Sequence, residues 1–421
     1  MALFNKNLVR IGWFLGWRQL KRSSLWSNVL IIIVMILTFL NLVVVSGILV
    51  GLIQGSVNAN KNYYISDLLI TPLKEKDYIE KSQNILTNIE LINGIENITA
   101  RYRTSGTIES NYKLRTNFDD EPETVSTIIV GIDPINENLV TTMSQLLVEG
   151  EYLDSSDFDK VLVGSSLLRR YLDIESPGFD LLDDVFIGTK IRLSIEGQSR
   201  EVAVKGILKS KVDEVDRRVF MVDSQLRSMI SRPDLNVGEI SMRIDETIVS
   251  PDRVKEILVN NGFDKNAKIQ TFEEAQPKFL QDIKDTFAIL GSIISSIGLV
   301  VASITIFIVI FINAITRRKY IGIMKGIGVN GLAIELSYVF QSLIYAIVGS
   351  AIGLVLVYTL LIPYFAANPI DFPFSDGILV APLDSTLFRI GLLIFATALA
   401  GYVPARMIVK KNTLDSILGR K

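Results

Sequence analysis

The chain has 421 residues, 49% of them hydrophobic, and its formal net charge is −2. It contains neither cysteine nor histidine, which excludes disulfides, thiolate or imidazole metal ligands, Ser-His-Asp triads and cysteine nucleophiles. The charge balance shows no basic excess that would indicate nucleic-acid binding. Because the apolar residues are concentrated in long uncharged blocks, the composition predicts an α-helical membrane protein.

Residues 1–22 combine apolar positions at helical spacing with basic side chains. Leu8, Ile11 and Leu15 recur every three or four residues, and Trp13 and Trp17 widen the apolar side. The pattern predicts a cytoplasmic amphipathic helix that lies in the membrane interface or packs on protein. These two placements are compatible with each other.

The segment 23–60 carries no charged residue and contains the first predicted transmembrane span. Its most apolar part, residues 29–53, exceeds the roughly 20 residues that cross the hydrocarbon core. A helix that continues to residue 60 would rise above the bilayer as a stalk. The run is too long and begins too late for a signal peptide, so we expect an uncleaved anchor. Gly47 and Gly51 lie four residues apart, a spacing that lets another helix pack closely.

Residues 61–271 have an ordinary globular composition and predict an extracytoplasmic α+β domain. Short β-like runs occur at 67–71, 126–132, 160–163, 185–195, 201–208, 219–222 and 239–244. Helical patterns cover 76–92 and 251–260, and the second has a strong start signal because Ser250 precedes a proline. The acidic segment 149–159 lacks the spacing and the glycine of an EF-hand, so we predict a solvated loop. We predict no catalytic residue and no metal site in this chain.

The remainder of the chain predicts three more spans. Residues 272–316 are expected to form a second stalk helix that runs unbroken into the second span. The segments that follow are a cytoplasmic loop at 317–331, the third span at 332–362, a short outer loop at 363–384, the fourth span at 385–405 and a cytoplasmic tail at 406–421. Arg389 lies near the outer end of the fourth span, where we expect its side chain to reach towards the interface.

The distribution of basic residues predicts the orientation. The N-terminal segment, the loop 317–331 and the tail hold 5, 4 and 5 basic residues, whereas the loop 363–384 holds none. Lysine and arginine in short loops resist translocation. We therefore expect four spans, both termini in the cytoplasm, and one large outer domain between the first two spans. The near absence of ionisable residues from the spans argues against an ion or proton path through the bilayer.

The loop 317–331 has two interpretations. It is either a basic topology anchor or a short amphipathic helix that faces a partner. Ile321, Met324 and Ile327 lie three residues apart, with Ile323 between them, and this spacing would give such a helix one apolar side.

Several short segments occur in a characteristic order along the chain. They are 148–152 with 160–164, 188–193 with 204–208, 321–328, and 404–406 with 415–418. The segment 321–328 reads Ile-Gly-Ile-Met-Lys-Gly-Ile-Gly, and Gly349 and Gly353 follow in the third span. In this order, with one large domain after the first of four spans, they resemble the MacB/LolC/FtsX family of ABC transporter permeases. The family motif between the second and third spans is E-I-G-I-L-K-A-I-G, so Tyr320 replaces a glutamate here.

The resemblance implies that residues 317–331 couple the chain to an ATPase. It assigns this role to Arg317, Arg318, Lys319, Ile321, Gly322, Met324, Lys325, Gly326 and Gly328. It assigns helix packing to Gly349 and Gly353, as the spacing does for Gly47 and Gly51. The chain contains no Gly-Lys dipeptide and therefore no Walker A loop. The resemblance accordingly implies a separate ABC ATP-binding subunit that binds ATP and Mg²⁺, with no cofactor in this chain.

The implied function is that of a non-enzymatic permease subunit in a bacterial plasma (inner) membrane. ATP hydrolysis by the partner would drive mechanotransmission to the outer domain, exporting or extracting a lipoprotein, lipid, peptide or other amphiphile. A second permease chain, identical or different, an extracytoplasmic adaptor and membrane lipids are the further expected partners. The alternative is an FtsX-like regulator that activates a cell-wall hydrolase without transport. The outer domain is long for such a regulator, which favours transport.

Overall fold

The computed structural model describes residues 6–113, 122–172, 180–372 and 375–410. Most of the predicted cytoplasmic tail, residues 411–421, and the first five residues of the predicted N-terminal helix lie outside these ranges. Contacts divide the chain into two compact units. The helical unit comprises Met1–Ile53, Asp282–Phe372 and Asp376–Lys421, and the sheet unit comprises Gln54–Gln281 with Pro373–Ser375.

Helices occur in both units. In chain order the α-helices are α1 Lys6–Lys21, α2 Leu25–Leu40, α3 Ser46–Asn60, α4 Ser82–Glu90, α5 Pro134–Thr141, α6 Asp213–Asp216, α7 Asp223–Met229, α8 Pro251–Asn260, α9 Phe272–Ala275, α10 Lys278–Thr316, α11 Arg318–Gly326, α12 Gly331–Leu356, α13 Ile362–Ala367 and α14 Leu383–Val409. Widened π-turns lie at Asn41–Val45, Lys61–Ile65 and Val357–Leu361. Short 3-10 turns lie at Met143–Leu146, Ser165–Leu167 and Phe263–Lys265.

The β-strands are mostly short. In chain order they are β1 Leu68–Pro72, β2 Ile95–Glu109, β3 Thr124–Ile132, β4 Leu147–Gly150, β5 Lys160–Gly164, β6 Lys190–Ile195, β7 Gln198–Leu208, β8 Arg218–Val222, β9 Glu239–Ile244, β10 Ala267–Thr271, β11 Ile370–Phe372 and β12 Ser375–Gly377.

Four helical stretches among the described residues are long and apolar enough to cross a membrane, as the sequence predicts. They are TM1 Leu25–Ile65, TM2 Leu280–Thr316, TM3 Gly331–Ala367 and TM4 Leu383–Val409. One buried apolar cluster of the helical unit includes residues from all four, among them Met35, Ile306, Tyr338 and Leu393. Burial of this cluster between helices holds the helical unit together, while many other apolar side chains of the spans are exposed.

Helix α1 packs on TM3 along a side formed by Gly12 and Gly16. A Cβ atom at Gly12 would lie only 2.9 Å from Leu336 Cβ, so a larger residue would force the helices apart. Trp13 and Trp17 remain exposed on another side of α1. The helix therefore packs on protein and also presents an open aromatic side.

The strands of the sheet unit form one mixed sheet. Its order is β10-β1-β9-β2-β3-β8-β5-β7-β4, and β6 pairs with both β2 and β7. The pairs β3–β8 and β5–β7 are parallel. The long strand β2 joins the two halves of the sheet, because Ile98 pairs with Met242 of β9 and Ile108 pairs with Val125 of β3. The predicted mixed α+β character of this part of the chain is confirmed.

Element boundaries follow the sequence where the local signals are strong. The helix α8 has the predicted bounds, and Ser250 Oγ accepts a hydrogen bond from Arg253 N–H at 3.3 Å. The helix predicted at 76–92 is confined to Ser82–Glu90, because Lys81 adopts a left-handed conformation with φ of 56° just before it. The strand predicted at 185–195 begins only at Lys190.

The prediction of an unbroken helix from residue 272 is wrong. The single turn α9 begins with a capping box between Thr271 and Glu274 and ends at Ala275, and α10 begins only at Lys278. Pro277 lies between the two helices. It disfavours a helical conformation in the residue before it, and Gln276 accordingly has an extended ψ of 135°.

Candidate coupling interface

Helix α11 connects TM2 to TM3 and ends in a Schellman-type turn. Gly328 N–H donates to Lys325 O at 3.0 Å, and Val329 N–H donates to Met324 O at 2.9 Å. Gly328 has a φ of +92°, a conformation that residues with a side chain rarely adopt. The glycine therefore ends the helix at a defined point and returns the chain to TM3.

One side of α11 belongs to the core of the helical unit. Ile321 is 2% exposed and lies in the same apolar cluster as Ile310 of TM2 and Ile334 of TM3. Gly322 is also buried, and Met324 packs partly buried against that cluster. Ile321 and Gly322 are therefore covered by the helical unit, and Met324 is partly covered. They hold α11 against the spans on either side of it.

Lys325 attaches α11 to the end of TM4. Its Nζ donates to Val409 O at 2.9 Å, at the C-terminal end of α14. A cation at this position also interacts favourably with the negative end of the helix dipole. Lys325 therefore orients α11 within the unit.

The other side of α11 is an exposed apolar surface. Tyr320, Ile323 and Ile327 are 67%, 43% and 76% exposed. Their spacing of three and four residues places them on one side of the helix. We call these three residues the α11 outer face. Tyr320, which replaces the glutamate of the family motif, belongs to it.

The remaining residues predicted for coupling surround this face. Arg317 precedes the first residue of α11 without a side-chain capping bond, and it is partly buried like Arg318. Lys319 is exposed. A Cβ atom at Gly326 would meet no atom within 4 Å. The end of α11 is therefore open enough to accommodate a partner surface.

Gly349 and Gly353 lie where TM3 crosses TM1. A Cβ atom at Gly349 would be 2.5 Å from Met35 Cβ, and one at Gly353 would be 2.3 Å from Phe39 Cδ1. No larger residue fits at either position without moving the helices apart, so the two glycines set the distance between these spans.

Gly47 and Gly51 of TM1 do not have the helical neighbour that their spacing predicts. A Cβ atom at Gly51 would lie 1.8 Å from Ile378 O, and one at Gly47 would lie 2.7 Å from Leu379 Cδ1. Val380 N–H donates to Gly47 O at 3.2 Å. Residues 378–380 form no helix. The prediction of a helix at this contact is wrong, and the glycines instead admit the segment that leads into TM4.

Arg389 of TM4 does not reach towards the membrane surface as predicted. Its Nη1 donates to Leu42 O of TM1 at 2.9 Å, and the residue is partly buried. A main-chain carbonyl inside the span therefore takes the place of interfacial water as its hydrogen-bond partner.

The sheet unit contains a buried network of charged groups that sequence reasoning missed. Arg101 of β2 donates from Nε and Nη2 to the two carboxylate oxygens of Glu137, at 2.9 and 2.8 Å. It also donates to Tyr64 O at 2.8 Å and to Glu239 Oε2 at 3.3 Å. All these residues are buried. An isolated arginine at an inward position of β2 is the signal that could have revealed the network, had residues 95–109 been recognised as a strand.

Tyr64, in the π-turn Lys61–Ile65, completes this network. Its hydroxyl donates to Glu239 Oε1 at 2.5 Å and accepts from Arg218 Nη1 at 3.1 Å. Burial alone would lower the pKa of Arg101, but Glu137 and Glu239 raise it above its usual value. Burial alone would raise the pKa of Glu239, but the nearby arginines lower it. The acidic and basic members therefore stabilise one another in their charged forms.

The acidic segment 149–159 is tied to lysines of the sheet unit. Asp157 accepts hydrogen bonds from Lys160 Nζ at 2.7 Å and Lys205 Nζ at 2.6 Å. Burial would raise the pKa of Asp157, but the two lysines lower it to about 2. In the described parts of the chain, no group of three or more acidic side chains is arranged to hold a metal ion.

Residues 292–413 match the family described as FtsX-like permease C-terminal. The matched segment includes α11, TM3 and TM4 and most of TM2. The chain is also 22% identical over 278 residues to an uncharacterized ABC transporter permease of Methanocaldococcus jannaschii. That alignment covers 64% of this chain and only 65% of the length of the relative.

Two solved structures are similar to part of the chain. One is the extracellular domain of the noncanonic ABC-type transporter YknZ from Gram-positive bacteria, with 13% identity and a TM-score of 0.31 over 48% of this chain and 98% of that one. The other is the periplasmic region of MacB from Actinobacillus actinomycetemcomitans, with 14% identity and a TM-score of 0.34 over 51% and 92%. Both TM-scores are too low for either likeness to carry an argument about this chain.

The family match covers the region in which α11 lies between two membrane-spanning helices, and the curated relative is itself described as an ABC transporter permease. The family resemblance first drawn from short motifs thus agrees with the matched family and with the four apolar helices. Residues 292–413 thus carry an FtsX-like permease domain, and the chain is similar to an ABC transporter permease over 64% of its length.

Proposed function

We propose that this chain is the permease subunit of an ABC transporter in which a separate ATPase subunit supplies the energy. The ATPase binds ATP and Mg²⁺ and contacts the cytoplasmic α11. Two permease chains form each assembly in a bacterial plasma membrane, and the sheet unit lies outside the cell. The orientation is supported by the 5, 4 and 5 basic residues of the three proposed cytoplasmic segments, against none in the loop 363–384.

The proposal rests on the fact that α11 has one buried apolar side and one exposed apolar side. Ile321 is buried in the helical unit, whereas Ile323 and Ile327 are exposed. Large exposed apolar side chains on so short a connection favour a protein contact over a simple topology anchor. The basic residues before α11 serve both interpretations, but an anchor would not need the α11 outer face.

The contacts of α11 support mechanical coupling. Ile321 packs in a cluster with TM2 and TM3, and Lys325 is hydrogen-bonded to the end of TM4. Movement of α11 by an ATPase would therefore act on three spans together. TM2 is part of a single helix of 39 residues, Lys278–Thr316, which is suited to carry such movement along its length.

We further propose that the work is done at the outer face of the membrane, on a lipoprotein, lipid, peptide or other amphiphile. In the central parts of the four spans, residues 29–53, 287–315, 336–362 and 385–403, Arg389 is the only acidic or basic residue. A path for ions or polar solutes through the bilayer ordinarily requires more such groups. Mechanotransmission requires none.

Purification of the tagged full-length chain from its own membranes tests the proposal. The expected result is co-purification of an ATP-binding subunit with ATPase activity, in which this chain changes the turnover. A preparation that retains its membrane partners but contains no ATP-binding subunit would contradict the proposal. Co-purification of both an ATPase and a cell-wall hydrolase would favour the FtsX-like regulator over transport.

A further inference from the structure

TM1 is interrupted in its middle by the π-turn Asn41–Val45. A π-turn holds one more residue than an α-turn and is seldom found without a functional or packing reason. It also loosens the regular hydrogen-bond ladder, so that a carbonyl can accept a bond from outside the helix. In a membrane such a carbonyl has no water to bond to, and a protein donor must satisfy it.

Arg389 supplies a donor at this turn. Its Nη1 donates to Leu42 O at 2.9 Å. Leu42 is 1% exposed, so water does not compete freely for this carbonyl. Among the described side chains, Arg389 has no ion pair with a carboxylate. A basic group in a span without an acidic partner is costly, and such groups are usually retained for a function.

The other side of the π-turn contacts TM2. A Cβ atom at Gly298 would lie 2.5 Å from Asn41 Oδ1, so TM2 approaches the turn closely only because this residue is glycine. Asn41 Oδ1 is buried, and no described group donates a hydrogen bond to it. On the TM4 side of the turn, Leu42 O therefore accepts a hydrogen bond from Arg389. On the TM2 side, Asn41 Oδ1 accepts none from the described groups.

A second π-turn repeats the connection to TM4. Tyr358, in Val357–Leu361 of TM3, donates from its hydroxyl to Ala381 O at 2.7 Å, just before TM4 begins. The π-turns Asn41–Val45 and Val357–Leu361 therefore each have a hydrogen bond to TM4 or its leading segment.

We propose that Asn41–Val45 is a hinge in TM1 that switches between a π-turn and an α-turn, and that Arg389 holds it in the π-turn. In the α-turn, Leu42 O is free to take its ordinary partner within the helix, and Arg389 loses its acceptor. Conversion would rotate α3 relative to α2 by about 100°, the angle of one residue in an α-helix. The existence of the hinge does not depend on the proposed function. Only its role in a transport cycle rests on that function.

The test uses spin labels at L30C and V50C of the full-length chain in nanodiscs, because the chain has no other cysteine. Both positions are exposed and lie on opposite sides of the turn, about 30 Å apart for a regular helix. The labelled parent should give one distance. Arg389→Leu should add a second, resolved distance, and Arg389→Lys, which keeps a cationic donor, should restore most of the first.

Deletion of Val44 removes the extra residue of the π-turn and leaves a regular helix whose flanking parts keep the orientation of the parent. It should therefore give the first distance alone, also when Arg389→Leu is added. Its matched control is deletion of Val34 in the regular helix α2, which turns the packed side of TM1 away from its neighbours and should prevent folding. Adding Arg389→Leu to the Val44 deletion should cause no further loss of thermal stability, even if Arg389→Leu alone does not fold. An unchanged distance in Arg389→Leu, or a Val44 deletion as damaging as the Val34 deletion, would overturn the hinge.

The label distances are measured without an ATPase, so the hinge can be contradicted independently of the proposed function. Lack of an ATPase partner for the wild-type chain would contradict the proposed function and leave the distances unaffected. Where the ATPase binds, the Val44 deletion should retain binding and lose the ATP-dependent change in label distance. Retention of that change would overturn the hinge.

Discussion

Arg101 and Glu137 form a two-point ion pair inside the sheet unit. The side chains are 1% and 0% exposed, so water screens neither of them. Glu137 also accepts hydrogen bonds from Thr99 at 2.8 Å and Thr141 at 2.9 Å. Every oxygen of this carboxylate is therefore satisfied by a group of the protein, which is the condition under which a buried pair is tolerated.

We expect Arg101→Met to destabilise the sheet unit strongly. The substitution leaves Glu137 and Glu239 buried without their common cation, and breaking a buried pair from one side costs about 3–5 kcal/mol. Pulse proteolysis of the full-length chain in urea measures the change. Lys76→Met is the control, because Lys76 and Glu80 are exposed, and an exposed ion pair contributes little to stability. Equal losses in the two variants would contradict the buried network.

This network illustrates what sequence could not predict. Arg101 is 36 residues from Glu137 and 138 residues from Glu239, and no local spacing reveals that they meet. The four apolar helices and α8 were predictable, because hydropathy and helix-start signals are local. The sequence of α11 predicted a helix with an apolar side but not which side, since both Ile321 and Ile323 have helical spacing with other apolar residues. The carbonyl partners of Lys325 and Arg389 carry no sequence signature at all.

The sheet unit should lose stability in acid partly through Asp157. Its pKa is lowered to about 2 in the folded chain, from an ordinary value of 3.8. A lowered carboxyl pKa stabilises the fold above the ordinary value, and this contribution disappears as the pH falls from about 4 to about 2. Asp157→Asn should therefore lower the unfolding temperature of the sheet unit at pH 6 and have little effect near pH 2. An effect of equal size at both pH values would contradict the ion pairs with Lys160 and Lys205.

Replacing the TM3 glycines that contact TM1 with larger residues should destabilise the chain. Gly353→Leu inserts a side chain where even a Cβ would be 2.3 Å from Phe39 Cδ1, and overpacking typically costs about 1–3 kcal/mol. Gly391→Leu in TM4 is the matched control, since a Cβ there meets nothing within 4 Å. Thermal unfolding of the purified chain in detergent, followed by size-exclusion chromatography, should separate the two. A control as unstable as Gly353→Leu would show that the contact with TM1 is not the cause.

The proposed orientation is open to a labelling test, because the chain contains no native cysteine. S156C and G326C place thiols at exposed positions of the sheet unit and of α11. An impermeant maleimide added to intact cells should label the first, and the second should react only after the membrane is opened. The reverse pattern would place α11 outside the cell and contradict the coupling role.

Binding of the ATPase subunit to the α11 outer face tests the account most directly. Ile323→Asp with Ile327→Asp replaces two exposed side chains and leaves the buried Ile321 intact. Burying one such side chain contributes about 1.5–3 kcal/mol, so the affinity for the ATPase should fall at least about tenfold. The control is Ile135→Asp in the sheet unit, whose exposure lies between those of Ile323 and Ile327, and this variant should bind the ATPase as the wild type does. An unchanged dissociation constant in the doubly substituted chain would contradict the assignment of α11 as the coupling helix.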